Sequence, residues 1–317
     1  MATVSVLVPL CNRRELALEA IESVLAQTFR DFELVIADDG SCDGTPLALF
    51  SRLGAEPKAI RILSGMMSAG ALQPFSHVFS HEDIRVQYHF LLNRGLSAAR
   101  NRGLRQARGE YLAFLEPEYI WDPTHLETLV GHCRAHPTVK MCHVGERSTK
   151  EKGRARRFKT TPESSGGIFE QAITAAPFAI SSMLAHRSCF AECGGFDENL
   201  PSCEDYDILL RLTARNQVSF VDGETEVLKR MMRAENPSRG WKAERYRVYA
   251  LEKSFQSGHL NADQRLLVAE EILRKCERLV EGYRRKEGEE RASFYDRKRR
   301  RFAQEVRKLR ASAAAVQ

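Results

Sequence analysis

The chain has 317 residues, of which 43% are hydrophobic and 28% are charged. This balance excludes a fibrous or wholly disordered protein, and no apolar run reaches the roughly 18 residues that a membrane-spanning helix needs. The N-terminus lacks the basic region of a secretory signal, so we expect a cytoplasmic protein. The eight cysteines form no C-x-x-C pair, and we expect them to be reduced and mostly in the core.

The net charge of +6 is concentrated at the C-terminal end of the chain. Residues 243–317 carry 19 Lys and Arg against 12 Asp and Glu, and the densest run is Arg297–Arg301. Such a segment favours anionic lipid or nucleic acid, although it equally suits a solvated helix face. Because the basic stretches lack interleaved aromatic residues, nucleic-acid binding is not favoured.

Strand and helix patterns alternate through the first 145 residues. Buried-strand runs occupy Val4–Val8, Phe32–Ile36, Arg85–Leu91 and Tyr111–Leu115, and apolar helix faces follow them. Asn12 and Glu15 precede the first helix with the spacing of a capping box. Residues 54–82 are predicted to be an irregular inserted loop, and residues 146–167 a mobile loop. The alternation predicts an α/β fold with a mostly parallel sheet, which binds ligands at the carboxyl ends of its strands.

From residue 243 onward the pattern is helical only, with a long apolar stripe from Leu266 to Tyr283. We therefore place a domain boundary near residue 240, between a domain of residues 1–240 and a basic helical extension of residues 241–317. The stripe is expected to pack on the first domain or to pair with a second copy of the chain.

Acidic residues follow two of the predicted strands. Asp38 and Asp39 could accept hydrogen bonds from a nucleotide base, or they could cap the next turn. Glu116 and Glu118 point the same way from a strand end and could share a hard divalent cation that bridges a diphosphate, or merely begin an acidic loop.

Two more features carry candidate chemistry. Glu204 and Asp205 begin a helix, where negative charge suits the macrodipole, and one of them could act as a general base. Arg100 lies on a predicted helix and could bind a phosphate or orient the acidic loops, or be a plain surface arginine. The sequence contains no Walker A, G-x-G-x-x-G or G-x-S-x-G motif, and its nine histidines show no ligand spacing.

In their order, these motifs resemble glycosyltransferase family 2, whose members have the Rossmann-like GT-A fold. The resemblance spans about residues 3–240. It rests on V-S-V-L-V-P-L-C-N at 4–12, A-D-D-G-S-C-D-G-T at 37–45, N-R-G-L-S-A-A-R-N-R-G-L at 93–104, G-E-Y-L-A-F-L at 109–115, W-D-P at 121–123, G-G-F-D-E at 194–198 and E-D-Y-D at 204–207.

The resemblance implies an inverting hexosyltransferase that uses a nucleotide-sugar donor, usually with UDP. The acceptor would belong to a surface polysaccharide, a lipid-linked glycan or a glycoprotein. By matching position, Asp205 is the general base and Glu204 its acidic partner. The nucleotide-binding positions are Pro9, Asn12, Asp38, Asp39, Arg100 and Glu116, with Asp39 on the base.

The sequence departs from the family pattern at the metal site. The usual Asp-x-Asp reads Glu116-Pro117-Glu118 here, so the resemblance implies Mn²⁺ or Mg²⁺ at Glu118, with Glu116 as a second candidate ligand. Arg233 stands where the family usually has a histidine, and we hypothesise that its guanidinium binds the diphosphate and weakens metal dependence.

These departures leave a second interpretation open, in which the chain is a degenerate GT-A module that acts in binding or assembly. A nucleotidyltransferase is disfavoured because the Gly-rich, Arg-containing loop expected after the first strand is missing. The basic C-terminal end is expected to rest on the inner face of an anionic membrane, and a homodimer is compatible with either interpretation.

Overall fold

The structure is a computed structural model that describes residues 2–68, 70, 73–149, 155–157, 165–223, 225–230 and 240–314. The chain divides into two compact units, each assembled from three stretches. The first unit comprises residues 1–166, 178–198 and 217–232, and the second comprises residues 167–177, 199–216 and 233–317. The boundary expected near residue 240 adjoins residues outside the described ranges and stays a prediction.

The first unit is built on an eight-stranded sheet. Its strands are β1 (Val4–Leu10), β2 (Phe32–Asp38), β3 (Phe75–His81), β4 (Ile84–Phe90), β5 (Tyr111–Phe114), β7 (Met141–His143), β10 (Met183–His186) and β11 (Ser219–Phe220). Their order across the sheet is β11-β7-β10-β5-β1-β2-β4-β3. The central strands β4, β2, β1 and β5 pair in parallel, whereas β3 and β10 pair antiparallel to their neighbours. The predicted mostly parallel α/β sheet is confirmed.

A smaller sheet has the order β6-β12-β8-β9. Its strands are β6 (Tyr119–Trp121), β8 (Gly145–Thr149), β9 (Ala155–Arg157) and β12 (Glu226–Arg230). The helices of the first unit are α1 (Arg14–Leu25), α2 (Thr45–Arg52), α3 (Pro57–Ser68), α4 (Leu96–Gln106), α5 (His125–Ala135) and α7 (Arg187–Cys193).

The central strands β1 and β2 form the core of the first unit together with the helices that cover them. Every residue of both strands is buried, as expected of parallel strands covered by helices on both faces. The α1 face contributes Ala17, Ile21 and Val24 to the same core. Each buried Val, Leu or Ile side chain contributes about 1.5–3 kcal/mol of transfer free energy.

The predicted inserted loop at 54–82 is wrong, because this segment contains α3 and β3. Leu63 of α3 is buried in the core, and Phe75 and Phe79 of β3 pack against Phe50 of α2. The expected mobile loop at 146–167 is wrong in part, since β8 and β9 cover 145–149 and 155–157. Residues 150–154 and 158–164 lie outside the described residues.

The second unit is helical among its described residues. Its α-helices are α6 (Phe169–Thr174), α8 (Glu204–Thr213), α9 (Glu244–Gln256), α10 (Ala262–Lys286) and α11 (Glu289–Ala314). The predicted apolar stripe is the buried face of α10, whose side chains share one core with residues of α9 and α11. The stripe therefore accounts for packing within this unit and gives no support to a homodimer.

The cysteines are reduced and mostly buried, as expected from the sequence. All eight are free thiols, and five of them are buried. Among the described residues, none of the helices is both long and apolar enough to span a bilayer.

Candidate functional site

The predicted site residues of the first unit lie where its parallel strands end. Strands β4, β2, β1 and β5 place their carboxyl ends at one edge of the sheet, followed by residues 91–95, 39–43, 11–13 and 115–118. We call these four segments the strand-end loops. Ligands of open α/β sheets bind at this edge.

The loop after β1 has an unusual backbone. Asn12 and Arg13 are consecutive non-glycine residues in the left-handed region, with φ of 57° and 62°, a conformation that costs about 1–2 kcal/mol per residue. Asn12 is held there because its N–H donates to Ser41 Oγ at 2.6 Å and its Oδ1 accepts from the Cys42 N–H at 2.9 Å. Asn12 therefore fastens two strand-end loops together and does not form the predicted capping box. Strain of this kind is concentrated at functional sites.

Asp38, the last residue of β2, is a buried structural carboxyl. Its Oδ1 accepts from the Ser41 N–H at 2.8 Å, and its Oδ2 accepts from the Tyr88 hydroxyl. Burial raises the pKa of Asp38 above its usual range, although both hydrogen bonds oppose that rise. Burial and the nearby Asp38 raise the pKa of Tyr88 well above its usual range, so Tyr88 keeps its proton.

Asp39 joins the β2 loop to the β4 loop. Its two carboxylate oxygens accept from the N–H groups of Arg94 and Gly95 at 2.6 and 2.7 Å. Gly40 is required beside it, because its φ is +85° and a Cβ there would lie 2.9 Å from Asn93 Oδ1. Asp39 therefore links two loops, and it is Asp38 that caps the turn after β2 through the Ser41 N–H. Each Asp39 oxygen keeps a second lone pair for a ligand.

Arg100 and Glu116 form a shielded ion pair. Arg100 lies on α4, is 2% exposed and donates from Nη2 to Glu116 Oε1. The Arg100 guanidinium also lies 5.2 Å from the centre of the Phe196 ring. The Glu116 N–H donates to Ser181 Oγ at 3.1 Å, which fixes the backbone of the loop after β5. Arg100 is therefore a buried cation at the site, and the surface-arginine alternative is wrong.

Glu118 has an arginine partner that sequence analysis missed. Arg13 Nη1 lies 3.1 Å from Glu118 Oε1. A second missed residue, Arg230 of β12, donates through Nη2 to the carbonyls of Pro117 and Leu16 and pairs with Glu19 of α1. No local pattern marks Arg13 or Arg230, because their partners in the 115–118 loop lie more than 100 positions away in sequence.

The carboxylates at the expected metal position do not fit a divalent cation in this arrangement. Glu116 and Glu118 are each paired with a guanidinium, which neutralises the charge that Mn²⁺ or Mg²⁺ would require. Across the described part of the chain, no group of three or more His, Cys, Asp or Glu side chains is arranged to hold a metal ion.

Glu204 and Asp205 lie in the first turn of α8, in the second unit. Cys203 precedes them in the left-handed region, with φ of 65°. The helix is held by the Tyr206 hydroxyl, which donates to the Ile173 carbonyl at 2.5 Å, and by Asp207, whose Oδ1 lies 2.6 Å from Lys253 Nζ. The acidic helix start is therefore as predicted, on a firmly anchored helix.

The structure brings most of the predicted residues of the first unit to the strand-end edge. Pro9 is buried and is the penultimate residue of β1. Arg233 lies outside the described residues, so its expected contact with a diphosphate stays a prediction.

The comparisons with known proteins agree on one family. The family model described as glycosyl transferase family 2 matches residues 5–63 and 70–193, which is more than half of the chain. A second model, described as glycosyltransferase like family 2, matches residues 164–246.

Related proteins are described as glycosyltransferases. An uncharacterized glycosyltransferase of Rickettsia felis is 29% identical over 221 residues, which are 70% of this chain and 32% of that protein. The chain thus spans about a third of the length of that relative. The putative colanic acid biosynthesis glycosyl transferase WcaA of Escherichia coli K12 is 24% identical over 214 residues, 66% of this chain and 65% of that protein.

Solved structures share the fold. The mannosyltransferase PcManGT from Pyrobaculum calidifontis, in complex with GDP-Man and Mn²⁺, superposes with a TM-score of 0.58 at 16% identity, covering 99% of this chain and 86% of that one. S. aureus TarS 1-349 in complex with UDP superposes with a TM-score of 0.57 at 17% identity, covering 86% and 71%.

Proposed function

This chain belongs to glycosyltransferase family 2 and has the GT-A fold, and we propose that it transfers a sugar from a UDP-sugar donor to an acceptor hydroxyl with inversion of configuration. The observation that carries this proposal is the convergence of Asn12, Asp39 and the Arg100–Glu116 pair at the strand-end edge. Ligands of such sheets bind at this edge.

The donor nucleotide is proposed from the fold relatives. TarS forms complexes with UDP and with UDP-GlcNAc, whereas PcManGT forms one with GDP-Man. We take UDP as the donor nucleotide, with GDP as the competing choice that a binding assay must include. Asp39 would accept from the base with its remaining lone pairs, and Pro9 and Asn12 would line the nucleotide pocket.

The proposed reaction is a single in-line displacement. Asp205 takes the proton of the acceptor hydroxyl, the new bond to the sugar carbon forms, and the bond from that carbon to the diphosphate breaks. Glu204 is the acidic partner of Asp205. Negative charge then grows on the leaving UDP, where a preorganised cation stabilises it without rearrangement. Arg100, buried and paired with Glu116, would orient the acidic loop after β5.

A divalent metal, when bound, would supply further charge stabilisation for the diphosphate. Because both carboxylates of the Glu116-Pro117-Glu118 motif are paired with arginines, we propose weak metal dependence. Arg233 would add to the positive charge near the diphosphate, in place of the histidine usual at that position.

Two named relatives support a polysaccharide acceptor. WcaA is described as a colanic acid biosynthesis enzyme, and the chondroitin synthase of Escherichia coli is 24% identical over 216 residues, 66% of this chain and 26% of that protein. We therefore propose a growing surface polysaccharide as the acceptor, ahead of a lipid-linked glycan or a glycoprotein.

Peripheral binding to an anionic membrane is proposed from the charge of α11. Within Arg297–Arg301, Lys298 pairs with Glu252, and Arg299 and Arg300 pair with Asp296. These pairs reduce the local excess of positive charge, so binding must be weak and sensitive to salt. Co-sedimentation with vesicles rich in phosphatidylserine should fall as salt rises, and equal binding to neutral vesicles would refute the idea.

The test of the catalytic proposal is UDP release from a panel of UDP-sugars by the full chain. Asp205→Asn should lower the rate by at least about 100-fold while leaving UDP binding intact, since general-base catalysis contributes that much or more. Glu204→Gln, which removes the acidic partner but keeps the base, should lower the rate by less than Asp205→Asn.

The alternative is a GT-A module that binds nucleotide without catalysis, and one observation favours it: both carboxylates at the expected metal position are neutralised. UDP binding to the wild type with no release from any UDP-sugar, with or without acceptor extract, would establish this alternative.

A further inference from the structure

The loop that carries Glu118 is held on its backbone side by β12. The Arg230 N–H donates to the Glu118 carbonyl at 2.8 Å, and the Arg230 guanidinium donates to the Pro117 carbonyl. The same guanidinium reaches the Leu16 carbonyl of α1 at 2.9 Å. The backbone that carries Glu118 is therefore held near the start of α1 by contacts of Arg230 that do not involve Arg13.

Arg13 is the adaptable partner in its pair with Glu118. Its side chain is 46% exposed against 26% for Glu118, and its backbone is fixed in the left-handed region next to Asn12. A fixed backbone with a long, half-exposed side chain lets the guanidinium turn away from Glu118 without any movement of the loops. Arg13 also immediately precedes α1, a helix of 12 residues whose N-terminus attracts negative charge.

We propose that Arg13 is a diphosphate-binding residue that takes the place of a divalent metal at Glu118. Before the donor binds, its guanidinium is paired with Glu118, and when the donor binds, it donates to the phosphate oxygens. This inference rests on the proposed function, because it assigns a partner to the diphosphate of the donor.

The chemistry of the guanidinium suits this role. Its planar N–H donors match two phosphate oxygens at once, and its positive charge persists at every physiological pH. It carries one charge where a metal would carry two, while the Arg100 guanidinium at the same edge is buried and already paired with Glu116. Arg13 exchanges no proton in the reaction and stabilises the charge that forms on the leaving UDP.

The proposal makes a prediction that is opposite to simple loss of function. If Arg13 is removed, the Glu118 carboxylate loses its partner and becomes available to a metal ion. Arg13→Gln should therefore bind UDP poorly in EDTA and recover binding in Mn²⁺, which converts a metal-independent protein into a metal-dependent one.

The experiment is calorimetric titration of UDP, and of GDP in parallel, into the full chain in EDTA and in Mn²⁺. The wild type should bind with affinities that agree within about threefold in the two buffers. Arg13→Gln should bind UDP at least about tenfold more weakly than the wild type in EDTA, as expected for loss of a charge-assisted hydrogen bond. Mn²⁺ should restore most of the lost affinity. Arg13→Lys keeps the positive charge but cannot bind two phosphate oxygens at once, so its affinity for UDP in EDTA should lie between those of the wild type and Arg13→Gln.

Arg14→Gln is the matched control, since it removes the same charge one residue later. The Arg14 side chain is 51% exposed and its guanidinium pairs with Glu15 at 3.8 Å, so UDP binding should not change. Wild-type binding that requires Mn²⁺, or Arg13→Gln binding that equals the wild type in EDTA, would overturn the Arg13 proposal alone. A wild type that binds neither nucleotide in either buffer would overturn the proposed function and this inference together.

Discussion

Lys275 is a buried cation of the second unit, and its removal gives the sharpest stability prediction. It is 1% exposed, and its Nζ lies 2.9 Å from Glu244 Oε2, 3.0 Å from Glu271 Oε1 and 3.4 Å from the Thr174 carbonyl. Lys275→Met leaves the two carboxylates without their shared cation. Breaking a buried pair in this way costs about 3–5 kcal/mol of unfolding free energy.

Arginine partners place the expected loss at the lower end of that range, near about 3 kcal/mol. Arg247 pairs with Glu244 at 3.0 Å, and Arg274 pairs with Glu271 at 2.5 Å, so neither carboxylate becomes wholly unpaired in the variant. Both arginines approach from more exposed positions than Lys275 does and are screened more by solvent.

The loss should depend on pH. Burial raises the pKa of Glu244, but the hydrogen bond and charge of Lys275, together with Arg247, outweigh burial and hold that pKa below its usual 4.5. A lowered pKa contributes stability above pH 4.5 that is lost as pH falls through the folded value. The deficit of Lys275→Met relative to the wild type should therefore be full at pH 7 and shrink below about pH 4.5.

The two tryptophans of the chain allow the second unit to be followed separately. Trp121 lies in the first unit and Trp241 in the second, so Trp241 fluorescence in a Trp121→Phe background reports urea unfolding of the second unit. Lys308→Met is the control, because Lys308 is 71% exposed and pairs only at the surface with Glu305. A Lys275→Met variant as stable as this control, or a deficit that grows in acid, would refute the reasoning.

Two further predictions concern the first unit. Burial raises the pKa of Asp38, so the stability that its protonated form contributes is present below about pH 3.8 and is lost as pH rises through the folded pKa. Asp38→Asn mimics the protonated form. In urea unfolding it should therefore lose less stability than the wild type does as pH rises from 4 to 7. Gly109→Ala should lower the melting temperature sharply, because its Cβ would lie 2.5 Å from the Ser5 nitrogen, whereas Gly131→Ala, in open space on α5, should raise stability by about 0.5–1 kcal/mol. An unchanged melting temperature for Gly109→Ala, or a pH dependence that Asp38→Asn leaves intact, would contradict these expectations.

Local patterns predicted the central strands and the acidic residues that follow them, because both signals lie within a few residues of each other. Asp38 and Asp39 directly follow the apolar run that forms β2, so their place at the strand-end edge was readable from the sequence. The prediction of an inserted loop was wrong because residues 54–82 are rich in Gly, Ser and Met. This composition conceals α3, in which Leu63 is buried, and the alternating burial pattern of β3.

Long-range partners could not be read in the same way. Asn12 has the spacing of a helix cap, yet tertiary hydrogen bonds to Ser41 and Cys42 decide its conformation. Arg13 and Arg230 contact the 115–118 loop because the folded sheet brings distant segments of the chain together. The second unit likewise joins α6 and α8 to helices that follow much later in the chain, a grouping that no local pattern reports.

The central claim is that a nucleotide binds at the strand-end loops, and hydrogen–deuterium exchange with and without UDP tests it most directly. We predict that UDP slows exchange in peptides covering residues 8–14, 36–44 and 92–100, and leaves the α10–α11 helices unchanged. Unchanged exchange in all three peptides at saturating UDP, or protection confined to other parts of the chain, would contradict the claim.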